Sequence, residues 1–446
     1  MKIAMMTNNY KPFVGGVPIS VERLKNGLEE LGHEVVVFAP AYGKEAPEPD
    51  ECRYSTLAER IFGGIVLPNP FDRKIEETFR KGDFDVIHVH HPVLIGRTAV
   101  YLSQKYHVPL VYTYHTRYEQ YLSYLGVIRK LEESTDRHDI RGRLSRCLLR
   151  FIQEGVTKRY LGNFFRHCDL IFTPTKGMER YFQSQYRRLR IPTRVLPTGL
   201  ERELFASRAE EAADIRKQVS AENIPLFVTV ARMAHEKNIE FLLRAIARFR
   251  ERFGQPFRVL MIGEGPEKES YMELAGKLEL EEAVIFLGRV DNRDIPAYMQ
   301  AADAFLFASK TETQGIVILE AFAGRSPVIA VRASGVEDLV MDGRNGYLTE
   351  ENEEIFADAM LTFLQQSGDR RQAMEESALA CAYEYRETEI ACTALDSYGT
   401  IFEKGRAKCA DTRTACLHDW PRISVFGERS EPVKPEVEEW TQSIGY

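Results

Sequence analysis

The sequence predicts an α/β protein built from two Rossmann-like, doubly wound domains in tandem. Three observations carry this. A chain of 446 residues, 44% apolar and 28% charged, is too long for one ordinary core and apolar enough for two. Short β-branched runs alternate with stretches of helical period, the pattern of a parallel sheet with crossover helices. The alternation halts at Pro197-Thr198-Gly199-Leu200, where Pro and Gly mark a hinge, and starts afresh at Leu226.

In order, Lys2 to Thr7 reads as a strand and Asn8 to Pro18 as a loop. A helix then runs to Gly32-His33, with Val21, Leu24, Leu28 and Leu31 as its buried stripe. Glu34 to Pro40 completes a βαβ opening. Further strands are expected from Val86 to Val89, Leu110 to Tyr114, Leu170 to Pro174 and Arg194 to Leu196. The second domain repeats the scheme from Leu226 to Ala231, Arg258 to Ile262, Val284 to Leu287, Ala304 to Ala308 and Pro327 to Val331. A last helical stretch, Gln372 to Lys404, is placed to pack back across the first domain. The expected divisions are 1–198, 199–375, a returning helix 376–404 and an irregular tail 405–446. The tail holds both tryptophans, Trp420 and Trp440, and is read as packed on the body through its aromatics.

Composition excludes several classes. No run of eighteen apolar residues exists and Met1 to Thr7 lacks a signal-peptide core, so a cytoplasmic chain without a membrane span is expected. The seven cysteines include no C-x-x-C pair and are expected to be reduced thiols rather than a disulfide or zinc framework. The net charge of −7 hides an asymmetry: residues 1–199 hold 30 Lys/Arg against 22 Asp/Glu, residues 200–446 hold 29 against 44. Residues 137–194 alone hold 14 Lys/Arg and 4 Asp/Glu, which calls for an anionic partner.

The segment from Ser309 to Ala321 is the most informative. Glu312 falls in a loop after a buried strand, and Glu320 on the second turn of the helix beyond it. Between them Gln314, Gly315, Ile316 and Val317 bring unpaired backbone N–H groups and the positive end of a helix dipole, which suit a diphosphate, and Thr313 beside them is a further substrate-binding candidate. The carboxylates would repel that diphosphate, so their natural partners are hydroxyls of a sugar and a ribose. Arg232, at a strand end, and Lys237, in the following loop, are two fixed cations for the charge that grows on a departing diphosphate. Gly15-Gly16 lets backbone approach phosphates from the opposite domain, although the pattern is not G-x-G-x-x-G. Gly263, in Gly263-Glu264-Gly265-Pro266, can shape a nucleoside pocket, though alone it is only a turn. Asp83-Phe84-Asp85 lies at the wrong end of its strand for a ligand site and is read as a turn, with no catalytic metal expected. His88 and His90 are expected on different faces, one of them in the core. His115, at a strand's carboxyl end, is expected to meet a sugar hydroxyl or the acceptor.

Gly15-Gly16, Arg232 with Lys237, Gly263-x-Gly265, Glu312-x7-Glu320 and Gly335-Val336-Glu337 with Asp342-Gly343-x-Asn345-Gly346 together resemble one family. It is the retaining glycosyltransferases of GT-B type, two Rossmann-like domains around an active-site cleft, which include glycogen and sucrose synthases and phosphatidylinositol mannosyltransferases. The resemblance covers roughly residues 1–404. More narrowly, Tyr112 to Tyr121 and Thr311 to Gly315 resemble bacterial diacylglycerol glucosyltransferases. The resemblance implies an N-terminal acceptor and membrane domain and a C-terminal nucleotide-sugar domain. It also implies UDP-glucose as co-substrate, no cofactor, no metal, and diacylglycerol as acceptor. By the same resemblance Glu312 and His115 contact the donor sugar, Glu320 the ribose, Arg232 and Lys237 the diphosphate, and the backbone near Val290 the base. Two departures stand out: Arg325 replaces the usual small residue at a turn, and 405–446 has no family counterpart.

Around Arg137, Arg141, Arg143, Arg146 and Arg150, cations alternate with Leu, Ile and Phe as in an interfacial helix. Each such cation is worth about 1 kcal/mol at an anionic leaflet, so peripheral attachment to the inner face of the cell membrane is expected. Nucleic acid is disfavoured because no stacking platform or groove-reading motif accompanies the charge. The rival readings are the same transfer to a glycolipid, glycan or small metabolite, a sugar-nucleotide epimerase, and a non-catalytic lipid-surface module.

Overall fold

The computed structural model describes residues 1–13, 15–43, 48–62, 65–116, 157–310 and 312–411. Met1–Phe402 form one compact unit; of Glu403–Tyr446, only the helical end through Asp411 is described.

The first half opens with β1 (Lys2–Met6), α1 (Gly16–Glu30), β2 (Glu34–Pro40) and β3 (Glu51–Tyr54), then a hairpin of β4 (Thr56–Phe62) and β5 (Ile65–Pro68). It continues with α2 (Arg73–Gly82), β6 (Val86–Val89), α3 (Ile95–Tyr106), β7 (Leu110–Thr113), α4 (Lys158–Phe165), β8 (Leu170–Thr173), α5 (Lys176–Gln185) and β9 (Thr193–Val195). Seven of these strands form a parallel sheet in the order β3-β2-β1-β6-β7-β8-β9. Its two faces carry separate cores, one around Phe38, Tyr112 and Phe165, the other around Met5, Val37 and Phe172.

The second half runs α6 (Ala209–Gln218), β10 (Leu226–Val230), α7 (Ile239–Phe253), β11 (Arg258–Ile262), α8 (Lys268–Lys277), β12 (Val284–Gly288), α9 (Ile295–Ala301) and β13 (Ala304–Phe307). It ends with α10 (Ile316–Ala323), β14 (Val328–Val331), β15 (Gly346–Thr349), α11 (Glu353–Leu364), α12 (Gly368–Tyr383) and α13 (Glu387–Asp411). Its parallel sheet has the order β12-β11-β10-β13-β14-β15. Its inner strands β10, β11, β13 and β14 are almost wholly buried, as a sheet covered by helices on both faces requires, while the edge strands β12 and β15 are half-buried. Caps fix where helices start: Thr175 accepts from the Met178 N–H, and Asn352 from the N–H groups of Glu354 and Ile355.

Each expected strand is present. β3, the β4–β5 hairpin and β15 had no expectation attached, because they are short and lie where the apolar pattern is weak. The single helix expected from Gln372 to Lys404 is instead two, α12 and α13. The backbone leaves the helix between them because the Tyr385 carbonyl accepts from Leu200 N at 2.7 Å and Glu387 N donates to the Leu200 carbonyl at 3.0 Å. These bonds tie the start of α13 to the segment that joins the two sheets. Beyond them α13 does return to the first domain, burying Ile390, Ala391, Ala394 and Tyr398 against Val21, Leu24 and Leu28 of α1. Each large apolar side chain buried there contributes about 1.5–3 kcal/mol. The contact is close because Gly27 has no side chain: a Cβ there would lie 2.3 Å from the Glu387 carbonyl oxygen.

The unusual Arg325 takes a left-handed conformation, φ 62°, normally the province of Gly or Asn. Cys52, Cys168, Cys381 and Cys392 are free thiols. No helix among the described residues is long and apolar enough to cross a membrane.

Candidate active site

In an open parallel sheet, ligands bind outside the carboxyl ends of the strands where the strand order reverses. The first sheet reverses between β1 and β6, the second between β10 and β13. The loop after β10 carries Arg232 and Lys237, and the loop after β13 carries Glu312 to Gly315. Residues far apart in sequence thus meet at one switch point because the topology brings their strands side by side.

Lys237 lies in a short 3-10 turn, His235–Lys237, and its Nζ forms an ion pair with Glu312 Oε1. Both side chains are partly open, 26% and 17% exposed. Arg232 is exposed, and its guanidinium makes no hydrogen bond among the described residues. Gly315 caps α10 in the left-handed region at φ 74°, so Ile316 and Val317 begin the helix with N–H groups that have no intrahelical acceptor. A cation pair, an acid and a bare helix end therefore share one edge.

Glu320 looks across to the first domain. Arg23 of α1, 6% exposed, donates from one terminal nitrogen to Glu320 Oε1 at 3.1 Å and from Nε to Glu201 Oε1 at 2.8 Å. Its other terminal nitrogen donates to the Gly199 carbonyl at 3.2 Å. Burial pushes the Glu320 carboxyl above its ordinary range, and Arg23 pulls it only part of the way back. Oε1 is thus held while the acid remains at the domain boundary. The Gln314 side chain, for which the sequence carried no expectation, is 3% exposed and clamps the segment between the sheets, accepting from Thr198 N at 2.8 Å and donating to the Thr198 carbonyl at 3.1 Å. Thr313 is also tied across, its carbonyl accepting from Thr175 Oγ1 at 3.3 Å.

Gly16 starts α1 at the first switch point, and a Cβ on it would meet nothing, whereas one on Gly15 would touch the Phe13 ring at 3.0 Å. Gly263 has a packing reason of its own. At φ 138° a Cβ would sit 2.0 Å from the Ala231 carbonyl, so the loop after β11 can press against the loop after β10. Val290 follows β12 and is half-buried against the second domain's core.

His115 follows β7, with its ring against the first switch point's histidines. His88 and His90 share one face, which corrects the expectation that they diverge. Residues two apart on a strand point the same way, and the two rings stack at 4.4 Å. Burial pushes His88 and His115 down to about 3 and His91 to about 4, so all three are neutral at physiological pH. Asp83 ends α2 in a left-handed turn and Asp85 accepts from Lys2 N at 2.7 Å, as the turn reading expects. Among the described residues no group of three His, Cys, Asp or Glu is arranged to hold a metal ion.

Arg137, Arg141, Arg143, Arg146, Arg150 and the stretch 117–121 lie outside the described residues. Sequence reasoning missed Arg23 and Glu201. Arg23 borders the apolar stripe of α1, a position that more often holds a solvated cation, and only a partner 297 residues away reveals its role.

Residues 210–380 match the family Glycosyl transferases group 1, and residues 14–204 match Glycosyltransferase Family 4. The chain is 30% identical over 373 residues to the alpha-monoglucosyldiacylglycerol synthase of Acholeplasma laidlawii, covering 80% of this chain and 86% of that one. Against the protein of the same name from Streptococcus pneumoniae it is 27% identical over 365 residues, 78% and 75% of the two chains. In three dimensions it resembles Anabaena HepE in complex with UDP, with a TM-score of 0.66 at 19% identity over 90% of this chain and 100% of that one. With paired parallel sheets, an acid and a cation meeting at the second switch point, and relatives of this kind along most of its length, the chain belongs to the group 1 glycosyltransferases of GT-B fold.

Proposed function

We propose that this glycosyltransferase moves glucose from UDP-glucose to diacylglycerol at an anionic membrane surface, with retention at the anomeric carbon and without a catalytic metal. The observation that carries the chemistry is the ion pair of Lys237 and Glu312 beside the bare N-terminus of α10, with Arg232 in the same loop as Lys237. In this reading Arg232, Lys237 and the amides of Ile316 and Val317 take the diphosphate. Glu312 accepts from hydroxyls of the sugar, Glu320 from the ribose through Oε2, and the backbone near Val290 meets the base. The bond from the anomeric carbon to the diphosphate oxygen breaks, and the acceptor hydroxyl oxygen bonds that carbon from the same face. The acceptor's proton passes to the departing diphosphate, whose charge the two cations hold.

The acceptor assignment is supported by the names of the two relatives and by a basic concavity. Lys158 and Arg159 on α4, Arg166 just beyond it, and Arg187 and Arg188 just beyond α5 line a hollow of about 1010 Å³ whose wall, among the described residues, holds no acidic residue. Elsewhere many arginines are paired with carboxylates, but among the described residues these five cations make no ion pair. Unpaired like charges drawn together fit an anionic surface.

The test offers UDP-glucose, UDP-galactose and GDP-mannose with diacylglycerol in neutral and anionic vesicles and identifies product and anomeric configuration. An α-glucosyl lipid, formed faster on anionic vesicles, is expected. Inversion, or no lipid-linked hexose from any donor, overturns the proposal. Transfer only to a different added acceptor keeps the chemistry and discards diacylglycerol.

A further inference from the structure

We infer that His90 is a positioning residue that sets the tautomer of His115, so that His115 meets its substrate as a hydrogen-bond donor through Nδ1. The inference rests on the proposed transfer reaction for what Nδ1 touches, while the proton's place is a property of the free protein.

His90 is 1% exposed and lies between two other imidazoles, stacked on His88 at 4.4 Å and on His115 at 5.2 Å. Its Nδ1 is 2.9 Å from His115 Nε2, and its own Nε2 is buried without a hydrogen-bond partner. A hydrogen bond between two neutral imidazoles contains one proton, so the choice is which ring donates. If His115 donated from Nε2, His90 would carry its proton on its own Nε2, an orphaned N–H in the protein interior. If His90 donates from Nδ1, its Nε2 keeps only a bare lone pair. Orphaned buried N–H groups are the rarer defect, and an unmade buried bond is costly, so the second arrangement wins. The neighbours do not change this outcome. Both nitrogens of His88 are occupied, by the Tyr398 hydroxyl at 2.8 Å and Thr113 Oγ1 at 2.6 Å. The Nδ1 of His91 accepts from Asn8 N at 3.1 Å.

His115 then holds its single proton on Nδ1, which makes no hydrogen bond among the described residues. Its basic nitrogen is taken by His90. His115 therefore recognises an oxygen lone pair, such as a sugar hydroxyl, and takes no proton from the acceptor.

The test labels the ten histidines with 15N and records the ring signals of the full chain without substrate, those of His115 identified by their loss in His115→Gln. Protonation at Nδ1 with Nε2 bare is expected, and a proton on Nε2 overturns the inference. His90→Phe keeps the stack and removes the bond, and His90→Asn restores a donor near the place of Nδ1. His90→Phe should raise the KM for UDP-glucose about tenfold, the worth of one neutral hydrogen bond, with UDP affinity unchanged, and His90→Asn should recover most of that loss. An unchanged tautomer and KM in His90→Phe also overturns the inference. Should His90→Phe not fold, the wild-type spectrum decides alone. If the wild-type chain binds neither UDP nor UDP-glucose, the transfer reading falls and the tautomer result stands.

Discussion

Replacing Arg23 by Met tests whether a single buried cation holds the two domains in register. Arg23 is 6% exposed and serves two carboxylates and a hinge carbonyl, all from residues beyond the first sheet. Methionine keeps most of the side-chain volume and removes the charge. Removing one partner of a buried pair costs about 3–5 kcal/mol, chiefly from the charge left behind. Glu201 is 40% exposed and regains water, whereas Glu320, at 22%, regains little, so about 3 kcal/mol is expected. The assay is urea denaturation of Arg23→Met, Glu320→Gln and the double variant. Because the neutral amide introduced by Glu320→Gln needs no counter-charge, the double variant should be more stable than the sum of the single losses predicts, by about 1–2 kcal/mol. The deficit of Arg23→Met should also shrink with acid. Glu320 is raised in the folded protein, so its penalty is full above its folded value and vanishes as pH falls towards the unfolded value. Strict additivity, or a deficit that does not shrink as the solution is acidified, would refute this reasoning.

Glu387, 9% exposed at the hinge with an unpartnered Oε2, is raised from 4.5 to about 7 by burial and by the nearby carboxylates of Glu201 and Glu203. The folded state holds this proton more tightly than the unfolded one, so wild-type stability should fall as pH rises between those values. Glu387→Gln should recover up to about 3 kcal/mol at about pH 8 and nothing at about pH 4, read by denaturation at each pH. Gly27→Ala places a methyl 2.3 Å from a backbone oxygen of α13 and should destabilise by about 1–3 kcal/mol in the same assay; neutrality would mean that α13 is not seated on α1. Glu312→Gln should lower kcat about 10²-fold while UDP affinity holds, measured by product formation and calorimetry; lost UDP affinity would assign the acid to the nucleotide instead.

Much of this architecture was legible in local pattern. Alternating apolar runs located the main strands, because a strand buried between helix layers must be apolar along its whole length. Arg232, Lys237 and Glu312 were legible as a set because each stands at a strand's carboxyl end, where an α/β sheet has no side chains of its own to fill the space. The divergence expected of His88 and His90 ignored a rule that was available, the two-residue period of a strand. Gln314 was placed near the donor by its position before a helix, yet nothing local shows that its side chain would be drawn to Thr198.

Taken by itself, then, the order of residues determined two parallel-sheet domains and which loops bear cations and acids, since these follow from short-range periodicity and steric limits on the chain. Tertiary structure alone decided which strands lie side by side, and so which loops share a switch point. It also joined Arg23 to Glu320, seated α13 on α1 and put His90 beside His115. Those outcomes depend on distant groups whose burial changes what each charge and proton costs, and no window of sequence contains both partners.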